Sequence, residues 1–163
     1  MGAAPGGGAA NGASSGLSLS DGARFVAFES AASNLVSGDT NGTLDVFVRN
    51  TSTGQIVRAS SGDGGAQINR VSGDAKLSRN GQFVTYTQGT GFAATSGASS
   101  KLTINGGQVC RKNLANSTGF CFSKSPQGAD GNGASGESAV SGDGNVVLYE
   151  STATNLGTTP DTN

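Results

Sequence analysis

Three stretches of this chain are variants of one another. "LSDGARFVAFES" begins at Leu19, "LSRNGQFVTYTQ" at Leu77 and "VSGDGNVVLYES" at Val140, at intervals of 58 and 63 residues. A block that recurs at such a period cannot bury its hydrophobic face alone and stacks against its own kin. Each copy holds an apolar residue, a serine, a turn with Asp-Gly or Asn-Gly, and a hydrophobic run. Those dipeptides tolerate the positive φ values of tight hairpins. In the first copy the Asp21-Gly22 pair stands one place earlier than Asn80-Gly81 and Asp143-Gly144.

A second hairpin follows each of the first two copies. In the first unit it is "LDVFVRN" (44–50), "TSTG" (51–54) and "QIVRAS" (55–60); in the second, "GQVCRKN" (107–113), "LANSTG" (114–119) and "FCFSKS" (120–125). Gly-rich bridges come next, so a unit has four strands in about 60 residues. The third copy reads "NLGTTPDTN" where the first reads "NLVSGDTNG", and its second hairpin is not in the sequence. The expected organisation is a flexible Gly-rich leader (1–16), blade 1 (17–74), blade 2 (75–137) with an atypical loop at 88–106, and the first half of blade 3 (138–163).

Composition supports an all-β protein. The chain has 28 glycines, no Trp, no His and 13% charged residues, which would suggest disorder were the apolar residues scattered. They fall instead in short β-branched and aromatic runs between turn residues. "RFVAFES" and "NVVLYE" are apolar on both faces, so they need cover on both sides. Blades of a β-propeller give that cover; the alternative is a β-sandwich of about ten strands.

"LSDGARFVAFESAASNLVSGDTNGTLDVFVRNTSTGQIVRAS" resembles a blade of the TolB-like, WD40-like β-propeller repeats of bacterial secreted and envelope proteins. Residues 17–60 carry the resemblance closely and 138–163 as far as that copy goes; "QGTGFAATSGASSKLTING" (88–106) departs from it. The resemblance implies a propeller of four to eight blades. It further implies a secreted, periplasmic or cell-surface setting, although no signal peptide opens this chain. Such a propeller is completed either by further blades of a longer protein or by strands from another chain, including a homo-oligomer through the unfinished blade.

For chemistry, Asp39, Asn41, Gly42 and Asp45 form D-x-N-G-x-x-D. Their oxygens, with the Thr43 carbonyl, can wrap a Ca²⁺ ion, which takes six to eight oxygen ligands. The same pattern also describes an Asx-type turn. Cys110 and Cys121 lie on the two arms of one hairpin and can form a disulfide; two separate buried thiols are the alternative. With no His, a Ser-His-Asp or Cys-His nucleophile pair is excluded. Glu29 and Glu150 are the carboxylates to weigh for glycoside cleavage, but their equivalent repeat positions suggest a structural task such as bonding loop backbone. "NTS" (50–52) and "NST" (116–118) read as turns.

Ten basic and eleven acidic residues nearly cancel without a basic stripe, which argues against nucleic acid as a partner. No apolar run approaches the roughly 20 residues of a membrane span. The expected function is a non-enzymatic extracytoplasmic scaffold that contacts other protein chains; the 88–106 loop is either its contact surface or a disordered insertion. The alternatives are a carbohydrate-binding (lectin-like) or enzyme-associated substrate-binding propeller, for which Tyr86 and Tyr149 are the only tyrosines, and a strand-sharing assembly subunit.

Overall fold

The computed structural model describes residues 8–93, 103–105 and 107–159. The first repeat forms an antiparallel sheet of β1 (Ser14–Leu19), β2 (Phe25–Ser30), β3 (Asp45–Asn50) and β4 (Ile56–Arg58), in that order. The second begins with β5 (Val71–Leu77) and β6 (Phe83–Gly89), inserts a short hairpin of β7 (Gly91–Ala93) and β8 (Thr103–Asn105), and ends with β9 (Gln108–Asn113) and β10 (Gly119–Cys121). Its sheet order, β5-β6-β9-β10, repeats the first. β11 (Ser135–Val140) and β12 (Val147–Ser151) form the opening hairpin of the third. These are stacked four-stranded blades followed by a two-stranded one.

The serine in each repeat has a definite task. The N–H groups of Ser20, Ser78 and Ser141 donate to the carbonyls of Phe25, Phe83 and Val146. In return their hydroxyls accept the N–H of the same three residues, at 2.9 to 3.0 Å. The hairpin therefore closes identically in all three copies, and the displaced Asp-Gly pair does not shift it. Ala23 (φ 52°) occupies the position of Gly81 (φ 71°) and Gly144 (φ 80°), with Gly22 also at positive φ. The first copy thus places a side chain where the others have none.

The first strands extend further upstream than the sequence reading placed them. Each contains a bulge with one residue of positive φ, namely Gly16, Asp74 or Glu137, and pairing resumes before it. β1 therefore starts at Ser14, β5 at Val71 and β11 at Ser135, three or four residues ahead of 17, 75 and 138. Polar, Gly-rich residues carry no strand signal, yet here they pair. Nor do residues 8–16 behave as a leader: Asn11 donates its N–H to Asn34 Oδ1 (3.0 Å) and accepts the Ser33 N–H (2.9 Å). Asn132 repeats this clasp in the third blade with Asn155 and Thr154.

Both faces of the central strands are covered, as their composition requires. Ala27, Val46, Val48 and Ala59 of blade 1 pack against Ala75, Leu77, Val84, Tyr86 and Cys110 of blade 2. On the opposite face of blade 1, Phe28 stacks on Phe47 with ring centroids 5.7 Å apart, under Ala32 and Leu35 of the β2–β3 loop. Each Val, Leu or Phe among them contributes about 1.5–3 kcal/mol of burial.

Candidate functional site

The D-x-N-G-x-x-D loop leads from β2 into β3, and Gly42 (φ 65°) makes its sharp turn. Asp39 forms a buried ion pair with Arg58 (3.4 Å). Asn41 Oδ1 accepts the Thr43 N–H (3.1 Å), while its Nδ2 donates to Asp45 Oδ2 (2.9 Å) and to the Ile68 carbonyl (3.0 Å). Asp45 Oδ1 accepts the Ser60 hydroxyl (2.6 Å), and the Thr43 hydroxyl donates to the Arg70 carbonyl (3.4 Å). Burial pushes the carboxyls of both Asp39 and Asp45 above the ordinary range, opposed at Asp39 by Arg58 and at Asp45 by Ser60 and Asn41.

This donor set forms a hydrogen-bonded turn. Asn41 turns its NH₂ rather than its oxygen toward Asp45, and a guanidinium already neutralises Asp39. Among the described residues no group of three or more His, Cys, Asp and Glu is placed to hold a metal ion. The counterpart "PDTN" (160–163) lies outside the described residues.

Cys110 and Cys121 face each other across β9 and β10 and are joined in a disulfide. Just beyond it, Ser123 Oγ donates to Gln108 Oε1 (2.9 Å) and accepts the Val109 N–H (2.9 Å). Blade 1 has the same clip: Ser60 bonds Asp45 and accepts the Val46 N–H (3.0 Å). Asp45 and Gln108 therefore do one job, tying the third strand of a blade to the chain leaving its fourth.

The seam between blades consumes the remaining buried charge. Glu29 Oε1 accepts the Asp74 N–H at the β5 bulge (2.6 Å), which is the backbone task its repeat position suggested. Lys112, 2% exposed, donates from Nζ to the carbonyls of Ser61 (2.8 Å) and Gly62 (2.7 Å) in the preceding blade. Burial lowers the Lys112 pKa, partly offset by Asp63. Ser72 N–H to the Leu44 carbonyl and Ser135 N–H to the Gly107 carbonyl, both 2.8 Å, are one bond repeated at successive seams. Phe25 lies over Gly81 of the next turn and Phe83 over Gly144, where any Cβ would clash with the ring. Lys112 and the Phe–Gly pairs escaped the sequence reading; the alignment of Phe25 with Phe83 and of Gly81 with Gly144 was the signal available.

Glu150 is exposed, and nothing brings it near Glu29. Asn50 Oδ1 accepts the N–H groups of Ser52 and Thr53, and Asn116 Oδ1 that of Thr118, so both N-x-S/T sequences form turns. Of the 88–106 loop, β7 and β8 are described as a hairpin, whereas 94–102 and 106 lie outside the described residues. No described helix is long and apolar enough to cross a membrane.

Fold and seam together define a repeat protein of β-propeller blades. Among solved structures the chain is similar to the tricorn protease, with a TM-score of 0.51 and 13% identity over 91% of this chain and 12% of that one. A second similar structure is TolB from Acinetobacter baumannii, with a TM-score of 0.43 and 19% identity over 93% of this chain and 31% of that one. Both are propeller proteins, and this chain spans less than a third of either. No family model and no curated protein matches.

Proposed function

We propose that this chain is a non-enzymatic β-propeller scaffold that works outside the cytoplasm and presents its blades to other protein chains. One observation carries the reading: the buried ionisable side chains are spent on joining strands and blades. Glu29 ends on the Asp74 N–H, Asp39 on Arg58, Asp45 on Ser60 and Asn41, and Lys112 on two carbonyls. A catalytic carboxylate would instead face open space, with its pKa matched to proton transfer. The Cys110–Cys121 disulfide suits an oxidising compartment. The decisive comparison is Glu29→Ala, which removes the acceptor of a buried N–H. It lowers stability by about 1–3 kcal/mol, while a panel of glycoside and peptide substrates shows no turnover by either protein. Turnover by the parent that Glu29→Ala abolishes would overturn the scaffold reading.

A lectin-like role has one observation in its favour. Phe120 is 60% exposed and meets Phe122 edge-on at 5.2 Å, beside the Arg111 guanidinium. Specific binding on a glycan array, lost in Phe120→Ala, would establish that reading in place of the first.

A further inference from the structure

Blades 1 and 2 end in equally short fourth strands but anchor them differently. β4 is Ile56-Val57-Arg58 and β10 is Gly119-Phe120-Cys121, and each is paired along one edge. In blade 1 two of the three side chains hold the strand. Ile56 packs against the cluster of Phe28 and Phe47. Arg58 is buried, pairs with Asp39 (3.4 Å) and donates to Gln67 Oε1 and to the Gly38 carbonyl (3.4 Å). It thereby ties β4 to the β2–β3 loop and to the outgoing bridge. Val57, on the other face, is 40% exposed although four-stranded blade 2 stands beside it.

Blade 2 has neither anchor. Gly119 stands opposite Lys112 and Cys121 opposite Cys110, as Ile56 stands opposite Arg49 and Arg58 opposite Phe47. Gly119 has no side chain to bury, and its N–H donates to Asp63 Oδ1 (3.0 Å) at an exposed position. Phe120 is 60% exposed and meets Phe122 edge-on. Cys121 has its bond to Cys110 and a contact from Gln88 Nε2 (3.4 Å). The covalent bond therefore stands in for both anchors of blade 1. An edge strand with so little buried side chain belongs to the easily opened part of a fold.

We propose that the Cys110–Cys121 bond is an oxidation-operated latch: β10 stays docked on β9 only when the bond is made, so blade 2 completes its rim on reaching an oxidising compartment. The proposal rests on the extracytoplasmic reading above. In the dithiol state residues 114–121 are an open loop. The Ser123 clip, which blade 1 matches at Ser60 without a disulfide, still fixes the chain beyond. Closure is a thiol–disulfide exchange with an oxidising disulfide. One cysteine attacks it as the thiolate and forms a mixed disulfide, which the other cysteine then displaces. The oxidant leaves as a dithiol, having taken two electrons and two protons from the cysteine pair.

Hydrogen exchange read by mass spectrometry tests the latch on the full chain in three forms. These are the oxidised chain, the chain reduced in urea with dithiothreitol and refolded in its presence, and Cys121→Ala. Mass after thiol alkylation verifies each redox state. Amides of 109–122 should exchange at least about tenfold faster in the reduced chain and in Cys121→Ala than in the oxidised chain, while those of 44–60 keep their rates. Gly119→Ile supplies the anchor of blade 1 and should return most of the protection to the reduced chain. A Cβ there meets Lys112 Cδ at 3.5 Å and the Arg111 carbonyl at 3.7 Å, ordinary contact distances. Equal rates in the oxidised and reduced chains would overturn the latch. So would a loss of sheet throughout the reduced chain, read by circular dichroism, because the bond would then hold the whole fold rather than one strand. Reduced Gly119→Ile that exchanges like the reduced parent would overturn the anchoring argument. Free thiols in the chain isolated from its own compartment would count against the extracytoplasmic reading alone, so the two fail separately.

Discussion

Replacing Lys112 with Met tests whether the seam is held by its buried ammonium. Methionine retains most of the apolar stem, so the change isolates the two hydrogen bonds from Nζ to the carbonyls of Ser61 and Gly62, at 2.8 and 2.7 Å. The lysine is 2% exposed, so water does not take over those carbonyls without opening the seam. A bond to a charged donor contributes about 1.5–3 kcal/mol, and an unpaired buried acceptor costs about 1–3 kcal/mol. The desolvation cost of the ammonium disappears with the charge and offsets part of this sum, so the net loss is about 3 kcal/mol. With an m-value of about 2 kcal/mol/M the urea midpoint falls by about 1.5 M, and the melting temperature by about 6–12 °C. Hydrogen exchange should localise the damage to 61–65, whose Asp63 also accepts the Gly119 N–H (3.0 Å). The lowered Lys112 pKa adds a pH signature. The folded chain releases this proton before the unfolded chain does, so this group's contribution to stability rises with pH from the lowered value up to 10.5. Lys112→Met lacks that rise. A midpoint shift below about 0.3 M would show that the ammonium does not hold the seam, and an unchanged alkaline slope that burial does not lower its pKa.

Ala23→Gly relieves a left-handed Ala (φ 52°) whose equivalents are glycines. The relief of about 1–2 kcal/mol exceeds the added unfolded-state entropy of about 0.4–1 kcal/mol. A gain of about 0.5–1 kcal/mol in thermal melts of the dilute chain is therefore expected, and a loss would contradict the assigned turn. Asp45 has a raised folded pKa because it is buried, so its stabilising contribution is largest in acid and declines as pH climbs from 3.8 through the raised value. The stability gap between parent and Asp45→Asn should accordingly be wider at pH 3.5 than at pH 7, and urea titrations showing the reverse would refute the burial argument. Calcium in millimolar excess followed by chelation should leave the melting temperature unchanged, since the loop oxygens already hold Thr43, Ser60 and Arg58; a calcium-dependent rise would mean that Asn41 rotates to act as a ligand.

Local chemistry made the blades readable in the chain itself. Glycine turns, β-branched runs and a recurring serine act within a few residues, so their spacing placed β2, β3, β6, β9 and β12 and paired Cys110 with Cys121 on facing strands. The upstream strand ends at Ser14, Val71 and Ser135 gave no such signal, because Gly- and Ser-rich segments pair only when a neighbouring strand offers its edge. Tertiary structure alone decided what the polar residues do. Glu29 finds its N–H on Asp74, 45 residues away, and Lys112 its carbonyls some 50 residues upstream. Asn41 turns its amide toward Asp45 partly because the Ile68 carbonyl is there to accept a bond. A hydrogen bond depends on where its partner stands in space, and stacking one blade on the next is what brings those partners within reach.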